Sequence, residues 1–403
     1  MAHLTNRRER FFVILLLGIL TTISPFSIDM YLPAFHKMAA DFGTTTARIS
    51  LSLSSYFVGL AVGQVFYGPF LDRFGRKRPM YLGLSLYVAA SVFCALASNA
   101  ESLIVARFFQ SLGGCVASVG STAMVRDFFP PQEGARIFSR LMLILSISPL
   151  FAPTVGGWVV AVWGWQAVFW ILGGIVGTIL ALVALFLPEG HKPDPTVSLR
   201  LSSILSVFAG MLRDRRFFPY ALSGAFSFAG LFAYLAAAPS IFMGTYGLSE
   251  NAFGLVFAFL SIGMVGGAQF NIFLMKRLTA LQVFSLALAV QFAAAVIFLV
   301  GSTFHWYGLY AHISLFFVYI SSIGLVYPNA AALSLAPFEK NSGSAAALLG
   351  TLQMGIGAAA AGAFGLLKLN ASVGLTLLFV VCSSLANTIF RACVSRPMRS
   401  AEF

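Results

Sequence analysis

The stretch PEGHKPDPTVSLRLSSILSVFAGMLRDRR, residues 188–216, is the longest polar segment of this 403-residue chain and lies at its midpoint. A helix that crosses a bilayer needs about 20 mostly apolar residues. Reading outward from the polar segment for such runs finds six on each side. They lie near residues 11–33, 50–70, 79–98, 101–124, 138–160 and 165–187, and then near 217–243, 251–273, 281–301, 307–327, 342–366 and 371–391.

Composition supports a membrane protein. Hydrophobic residues make up 59% of the chain and charged residues 9%, whereas soluble domains carry about 25% charged residues. A soluble fold cannot hide that much apolar surface, so lipid must solvate much of it. The predicted fold is an all-α polytopic membrane protein with twelve transmembrane helices. Its predicted domains are a six-helix bundle at 1–187, a cytoplasmic linker at 188–216 and a second six-helix bundle at 217–403.

The positions of the basic residues test this count. With twelve spans and a cytoplasmic N-terminus, 21 of the 25 Lys and Arg residues fall on the cytoplasmic side, as the positive-inside rule requires. The outer loops hold only Lys37, Arg48 and Lys368, and Arg107 remains inside a span. A missing span would scramble this segregation. The net charge of +12 therefore indicates topology, with both termini cytoplasmic, and no nucleic-acid partner is predicted.

Two further patterns narrow the class. Residues 199–212 of the linker have the composition of an amphipathic helix on the inner membrane surface. The four cysteines lack the spacing of a metal or redox site, and no His/Asp/Ser or metal cluster is evident. We therefore predict no enzyme activity, no metal and no cofactor.

Span one carries SPFSIDMYLP, residues 24–33, and Asp29 is the only acid clearly inside an apolar run. Pro33 cannot donate a hydrogen bond to the carbonyl of Asp29, so a kinked helix presents the acid together with free backbone acceptors. On a helix, Phe26, Asp29 and Pro33 share one face. Such an acid can take up a proton on one side and release it when a substrate binds. The alternative is a hydrated, structural Asp29 at the outer end of the span.

Span four carries RFFQSLGG, residues 107–114. An arginine inside the membrane is energetically costly and normally faces a cavity or a partner. The alternative for Arg107 is that its side chain reaches the membrane interface. Gln110 lies one helical turn further along.

Span five carries SPLFAPTVGG, residues 148–157. Pro149 and Pro153 remove backbone hydrogen bonds, and Gly156 and Gly157 permit close helix approach. The alternative is a packing kink without a role in transport.

Between spans two and three stands GPFLDRFGRKR, residues 68–78. Its acid, Asp72, lies among four cations and can cap a helix or form ion pairs. The alternative is a solvated, positively charged loop.

These motifs together resemble a known family. Residues 68–78 resemble the signature loop of the major facilitator superfamily, and residues 107–114 resemble its span-four motif, whose arginine is linked to proton coupling. The Ala-Pro-x-x-Gly-Gly pattern at 152–157 resembles the motif associated with antiporters. The string SIDMYLPA, residues 27–34, resembles a hallmark of the Bcr/CflA branch of drug:proton antiporters, as do Val125-Arg126-Asp127 and the tryptophan-rich residues 164–170.

The resemblance implies proton-coupled export of small amphipathic drugs across the bacterial cytoplasmic membrane, by alternating access. Its implied partners are a small-molecule substrate, protons and the bilayer, with a monomer as the functional unit. The implied proton-coupling residues are Asp29 and Arg107, and the expected substrate-binding residues are Phe26, Asp29, Tyr31, Gln110, Tyr234 and Gln353. The residues expected to serve conformational switching are Gly68, Asp72, Arg73, Gly75, Arg76, Asp127, Pro149, Pro153, Gly156 and Gly157.

Three other functions remain open from the sequence. A dedicated exporter of a natural metabolite, such as an amino acid, would share the same mechanism. A proton symporter is possible, and the span-five motif is the main argument against it. A non-transporting membrane sensor is the third possibility.

Overall fold

The computed structural model describes residues 7–129, 131–190, 193–367 and 369–394, and these residues form helices joined by short connections, with no β-strand among them. In chain order the helices are α1 (Arg7–Asp29), α2 (Phe35–Asp41), α3 (Thr46–Phe74), α4 (Lys77–Ala95), α5 (Ala100–Phe128), α6 (Pro131–Trp163), α7 (Trp165–Phe186), α8 (Leu201–Arg213), α9 (Phe218–Pro239), α10 (Glu250–Leu274), α11 (Ala280–Thr303), α12 (Leu309–Leu335), α13 (Ser342–Leu366) and α14 (Ala371–Val394). Short 3₁₀ segments occupy Leu32–Ala34 and Ala336–Asn341, and a π-helical turn occupies Ser240–Thr245.

Eleven candidate spans within the described residues are long and apolar enough to cross a membrane. The remaining predicted span, at 138–160, lies within α6, a helix of 33 residues with a shorter apolar segment at Ser148–Trp163. The side chains of residues 131–136, 138–140 and 142–147 lie outside the described part of the chain. The predicted all-α membrane fold is confirmed, and the cytoplasmic placement of the termini stays a prediction.

Local chemistry explains where neighbouring spans separate. Asn99 caps α5 because its side chain accepts a hydrogen bond from the Ser102 amide at 2.8 Å. Gly164, between α6 and α7, has φ +82°, a left-handed conformation that glycine adopts without strain. Both breaks fall between consecutive predicted spans, 79–98 and 101–124 in the first case and 138–160 and 165–187 in the second.

Helix α8 confirms the amphipathic helix predicted within residues 199–212. Phe208 and Met211 are buried, whereas Leu201, Leu205 and Val207 are exposed. Exposed apolar residues on a polar connection suit a helix lying at the membrane surface.

The chain divides into two compact units. The first contains Met1–Ile204 and Ala238–Phe259, and the second contains Leu205–Ala237 and Leu260–Phe403. The main border thus falls inside α8, within the predicted linker, while the end of α9 and the start of α10 group with the first unit. The functional division into two six-helix bundles stays a prediction.

In the first unit, small residues bring α3, α4 and α5 close together. A Cβ on Gly63 of α3 would lie 2.7 Å from the Cβ of Cys115 in α5, and a Cβ on Gly83 of α4 would lie 2.6 Å from Val116. Close backbone approach through glycine is typical of membrane helix interfaces. Helix α5 is therefore held between α3 and α4, which places its arginine, Arg107, in the interior of the unit.

Candidate functional site

Asp29 lies where α1 ends. The helix stops at this residue, the Met30 amide still donates to the Phe26 carbonyl at 3.0 Å, and Leu32–Ala34 then form a 3₁₀ turn. The α-helix therefore ends inside the predicted span at 11–33, where Pro33 lacks the amide that would bond the Asp29 carbonyl. The candidate membrane span itself continues through the 3₁₀ turn and α2, from Arg10 to Asp41. Asp29 and Pro33 consequently do not share a helical face.

The surroundings of Asp29 differ from those of a hydrated surface acid. The residue is 5% exposed, and its carboxylate has no hydrogen bond or ion pair with any other residue in the described ranges. Phe26, one turn earlier, is partly exposed. The unpaired acid thus sits in the protein interior at a break in a membrane-spanning segment.

Arg107 is completely buried and its guanidinium binds the end of α1. Its Nη2 donates to the carbonyl oxygen of Ser27 at 2.9 Å, and its Nη1 donates to Oε1 of Gln110 at 2.5 Å. In a continuing helix the Ser27 carbonyl would accept from the Tyr31 amide. Arg107 supplies the missing donor, as cations at helix C-termini do.

Two tyrosine rings enclose the guanidinium. The Arg107 Cζ lies 4.1 Å from the ring centroid of Tyr31 and 4.1 Å from that of Tyr56, with the Phe169 ring at 5.7 Å. Cation–π contacts at this distance stabilise a desolvated cation. The described structure therefore balances the charge of Arg107 with a carbonyl, an amide oxygen and ring faces, and the snorkelling alternative does not fit a fully buried side chain.

A second layer of hydrogen bonds fixes this cluster. Gln110 donates from Nε2 to Oγ of Ser91 at 2.8 Å, and the Ser27 hydroxyl bonds to the Tyr87 hydroxyl. The Tyr31 hydroxyl lies 3.2 Å from Oγ of Ser52. The structure thus brings together Arg107, Gln110 and Tyr31, which the sequence predicted as site residues. Asp29 lies between Ser27 and Tyr31, which both contact Arg107. Asp29 itself forms no ion pair with Arg107 among the described contacts.

Several members of the cluster were not predicted. Tyr56, Tyr87 and Ser91 were not singled out from the sequence, and Ser27 was quoted only as part of the string at residues 27–34. A clue existed in the arginine itself, since a buried cation without an acid one turn away on its own helix needs aromatic or carbonyl partners from neighbouring helices.

Helix α6 packs tightly against the break in α1. A Cβ on Gly156 would overlap the carbonyl oxygen of Met30, and one on Gly157 would lie 2.8 Å from the carbonyl oxygen of Glu250 at the start of α10. Pro149 and Pro153 lie within the same helix. The predicted span-five motif therefore forms a backbone-to-backbone contact within the first unit.

The signature loop contains a compact ion cluster. Arg76, which is 5% exposed, donates from Nη1 to Asp72 at 2.8 Å and forms a bidentate pair with Asp127 at 2.6 and 3.2 Å. Burial opposes the charge of Arg76, but the hydrogen bonds to Asp127 and Asp72 outweigh it and raise the pKa of the guanidinium. Gly75 adopts φ +81°, which permits the sharp turn before Arg76. The loop thus joins the end of α3, the start of α4 and the end of α5.

The linker binds this loop, which the sequence did not predict. The Glu189 carboxylate accepts from the Arg76 amide and from the Lys77 amide, the latter at 3.3 Å, and so caps α4. The Asp194 amide donates to the Asp72 carbonyl at 3.1 Å. Arg73 also joins the linker, since its Nη1 donates to the Val197 carbonyl at 2.9 Å. By contrast, nothing lies within 4 Å of a Cβ built on Gly68.

The two predicted site residues of the second unit are both buried. The ring of Tyr234 in α9 lies 5.2 Å from that of Phe316 in α12. Gln353 in α13 is 4% exposed, and its Nε2 has no hydrogen-bond partner in the described residues. Within those residues, no group of three or more His, Cys, Asp or Glu side chains could hold a metal ion.

Comparisons with known proteins agree with this architecture. The family model described as Major Facilitator Superfamily matches residues 17–362. A bicyclomycin resistance protein homolog from Haemophilus influenzae is 27% identical over 98% of this chain and 100% of its own length. A chloramphenicol resistance protein from Pseudomonas aeruginosa is 34% identical over 64% of this chain and 60% of its own length.

One solved structure illustrates the shared fold. A D-xylose-proton symporter superposes with a TM-score of 0.75 over 94% of this chain and 97% of its own chain, at 14% sequence identity. At that identity the likeness concerns the fold alone.

Proposed function

This chain belongs to the major facilitator superfamily, in its Bcr/CflA branch, and from that premise we propose that it exports small amphipathic drugs in exchange for protons. It is a multi-pass transporter of the bacterial inner membrane and not an enzyme. The drug-resistance names of its relatives support drugs as the substrate class. Protons and bilayer lipid are the other proposed partners, and the proposed functional unit is a monomer.

The observation that carries the proposal is the unpaired, buried Asp29. An ionisable group inside a membrane span is energetically unfavourable, and it typically marks an ion or proton pathway. Because no described cation neutralises the carboxylate, its charge has to be balanced by a proton or by a substrate. Competition between these two occupants at one carboxylate is sufficient to couple export to proton entry.

Arg107 supports this proposal by its position. Its bond to the Ser27 carbonyl and its contact with the Tyr31 ring hold the residues on both sides of Asp29. We assign Arg107 a positioning role in proton coupling, acting through the backbone of α1. Tyr31 and Gln110, which are both engaged by Arg107, would then affect the substrate site through the same cluster.

Alternating access requires elements with two arrangements. We assign this role to the ion cluster of Asp72, Arg76 and Asp127 and to the contact of Gly156 with Met30. The first joins three helix ends through ionic bonds that can open and close. The second places α6 against the backbone of Met30, next to Asp29. A shift of α6 would therefore displace the chain beside the acid.

Gln353 is a proposed substrate contact in the second unit. A buried amide without a partner is uncommon in a native structure, because an unmade hydrogen bond costs about 1–3 kcal/mol. A substrate oxygen would satisfy the Nε2 donor. Phe26 and Tyr234 are proposed to add apolar contacts.

The test compares wild type with Asp29→Asn and Asp29→Glu in a strain that lacks its own drug pumps. Resistance to a panel of drugs and proton release by the purified protein on drug addition are both measured. We expect Asp29→Asn to lose both, and Asp29→Glu to retain part of each because it keeps the carboxylate. Asp214→Asn, at an acid outside the spans that pairs with Arg216, is the matched control and should behave as wild type.

Unchanged drug-induced proton release by Asp29→Asn would show that this acid does not carry the proton. Loss of proton release by the Asp214→Asn control would show that the assay detects general damage. Resistance to no drug, combined with counterflow of a metabolite in loaded vesicles, would favour the dedicated metabolite exporter.

A further inference from the structure

A large groove lies on the first unit between α4 and α5, and none of its lining residues belongs to the Arg107 cluster. Its volume is about 620 Å³, within the range of small-molecule sites. Its walls are apolar, and the lining side chains Phe93, Leu96, Val105 and Phe109 are all exposed. Because α4 and α5 are membrane spans, this groove faces an environment in which acyl chains are the available apolar ligand.

The groove is polar at only one end. Glu101, Ser98 and Ser102 line it there, where α4 ends and α5 begins. Glu101 pairs with Arg48 of α3 through a 2.9 Å contact. Both side chains of this pair are largely exposed, at 65% and 45%, so each can accept a second partner.

We propose that this groove binds a phospholipid with an ethanolamine headgroup. One acyl chain would fill the apolar groove, the ammonium group would donate to Glu101, and the phosphate would contact Arg48. Two opposite charges beside one apolar channel match a zwitterionic headgroup with a chain attached. A primary ammonium can donate hydrogen bonds to a carboxylate, whereas the quaternary ammonium of choline has no N–H to donate. A glycerol headgroup lacks the cation altogether.

The geometry of the polar end supports the same orientation of the headgroup. Glu101 stands in the first turn of α5 beside Arg48, so the carboxylate and the guanidinium lie at the same end of the groove. The phosphate therefore has the Arg48 guanidinium as its partner, and the ammonium has the Glu101 carboxylate. This inference does not depend on the proposed transport function.

The test measures retained lipid by native mass spectrometry. The full-length protein is reconstituted in vesicles of equal parts phosphatidylethanolamine, phosphatidylcholine and phosphatidylglycerol, and is then extracted with increasing detergent. We expect phosphatidylethanolamine to remain longest on wild type. Glu101→Gln should reduce its preference over phosphatidylcholine by about 1.4- to 5-fold, because the charged acceptor at this exposed site is lost.

A groove-filling variant tests the acyl chain separately. Ala89 is exposed and lines the groove, so Ala89→Phe should remove the retained lipid without disturbing a buried contact. Ala181→Phe, at an exposed position of α7 outside the groove, should retain it. Equal retention of the three lipids by wild type would overturn the proposal, and so would full retention by Ala89→Phe. Loss of a dimer in Ala89→Phe, with lipid retention unchanged, would identify a second copy as the occupant instead.

Discussion

Replacing Gly156 with alanine is expected to destabilise the first unit, although alanine is the better helix former. In an open helix position, Gly→Ala adds about 1 kcal/mol of stability. At Gly156 the new Cβ would lie 2.8 Å from the carbonyl carbon of Met30 and 3.0 Å from its Cα. Ordinary contact begins at 3.4 Å, so the backbones must separate by at least about 0.6 Å.

The obstructing atoms belong to the backbone, so no side-chain rotation can relieve the overlap. Overpacking of this kind costs about 1–3 kcal/mol. After the helix-propensity gain of about 1 kcal/mol is subtracted, we expect Gly156→Ala to lose up to about 2 kcal/mol in net terms, toward the upper end because the obstructing atoms are backbone. The separation would also displace Met30, the neighbour of Asp29, so drug resistance should fall as well.

The matched control is Gly174→Ala in α7. A Cβ at this position meets nothing within 4 Å, so the substitution should be neutral or stabilise by up to about 1 kcal/mol. Thermal unfolding of both variants in detergent, followed by tryptophan fluorescence, gives the comparison. If Gly156→Ala unfolds at or above the wild-type temperature, α6 does not lie against the break in α1 and the packing described above is wrong.

Substitutions at three further positions probe the two polar clusters. Tyr56→Phe should keep the melting temperature near that of wild type because the ring face over Arg107 remains, whereas Tyr56→Leu should lower it by removing a cation–π contact worth about 0.5–2 kcal/mol. Asp127→Asn should lower the free energy of unfolding by about 2–3 kcal/mol, because it weakens a charge-assisted pair with the buried Arg76. A denaturant titration measures this, and an unchanged midpoint would contradict the pairing. Glu189→Ala should lose about 1 kcal/mol of helix-cap stabilisation while Glu189→Gln, which keeps an acceptor oxygen, should lose less, and equal values would exclude capping as the role of this carboxylate.

The fold could be predicted from the sequence because membrane helices depend on local properties. Apolar run length sets each span, and single residues such as Asn99 and Gly164 end or start a helix through their own conformational preferences. The end of α1 was predicted less well. Pro33 frees the Asp29 carbonyl and so favours either a kink or a complete break of the helix. A complete break also frees the Ser27 carbonyl, so its cost depends on whether another group can donate to that oxygen. That group is Arg107, 80 residues later in the chain.

The candidate site was predictable by residue type but not by partner. The rarity of an acid in span one and a cation in span four singled out Asp29 and Arg107, but this pattern did not identify the partners of Arg107. The structure instead gives Arg107 two tyrosine rings and a carbonyl. Polar residues within spans occur on several helix faces, and sequence alone does not tell which faces meet. The role of Glu189 was also missed, because the sequence does not show which helix end an acid in a linker will contact.

The bond between Arg107 and the Ser27 carbonyl has a consequence for how this protein can vary. The acceptor is a main-chain oxygen, so every residue type at position 27 supplies it and no side-chain change there deletes it. The neighbouring hydroxyl can be lost while the anchor for the guanidinium remains. Side chains around the break in α1 can therefore change while the bond from Arg107 to the Ser27 carbonyl remains. Adaptation to new compounds can proceed through side chains of span one, and α1 stays bound to α5 next to the acid.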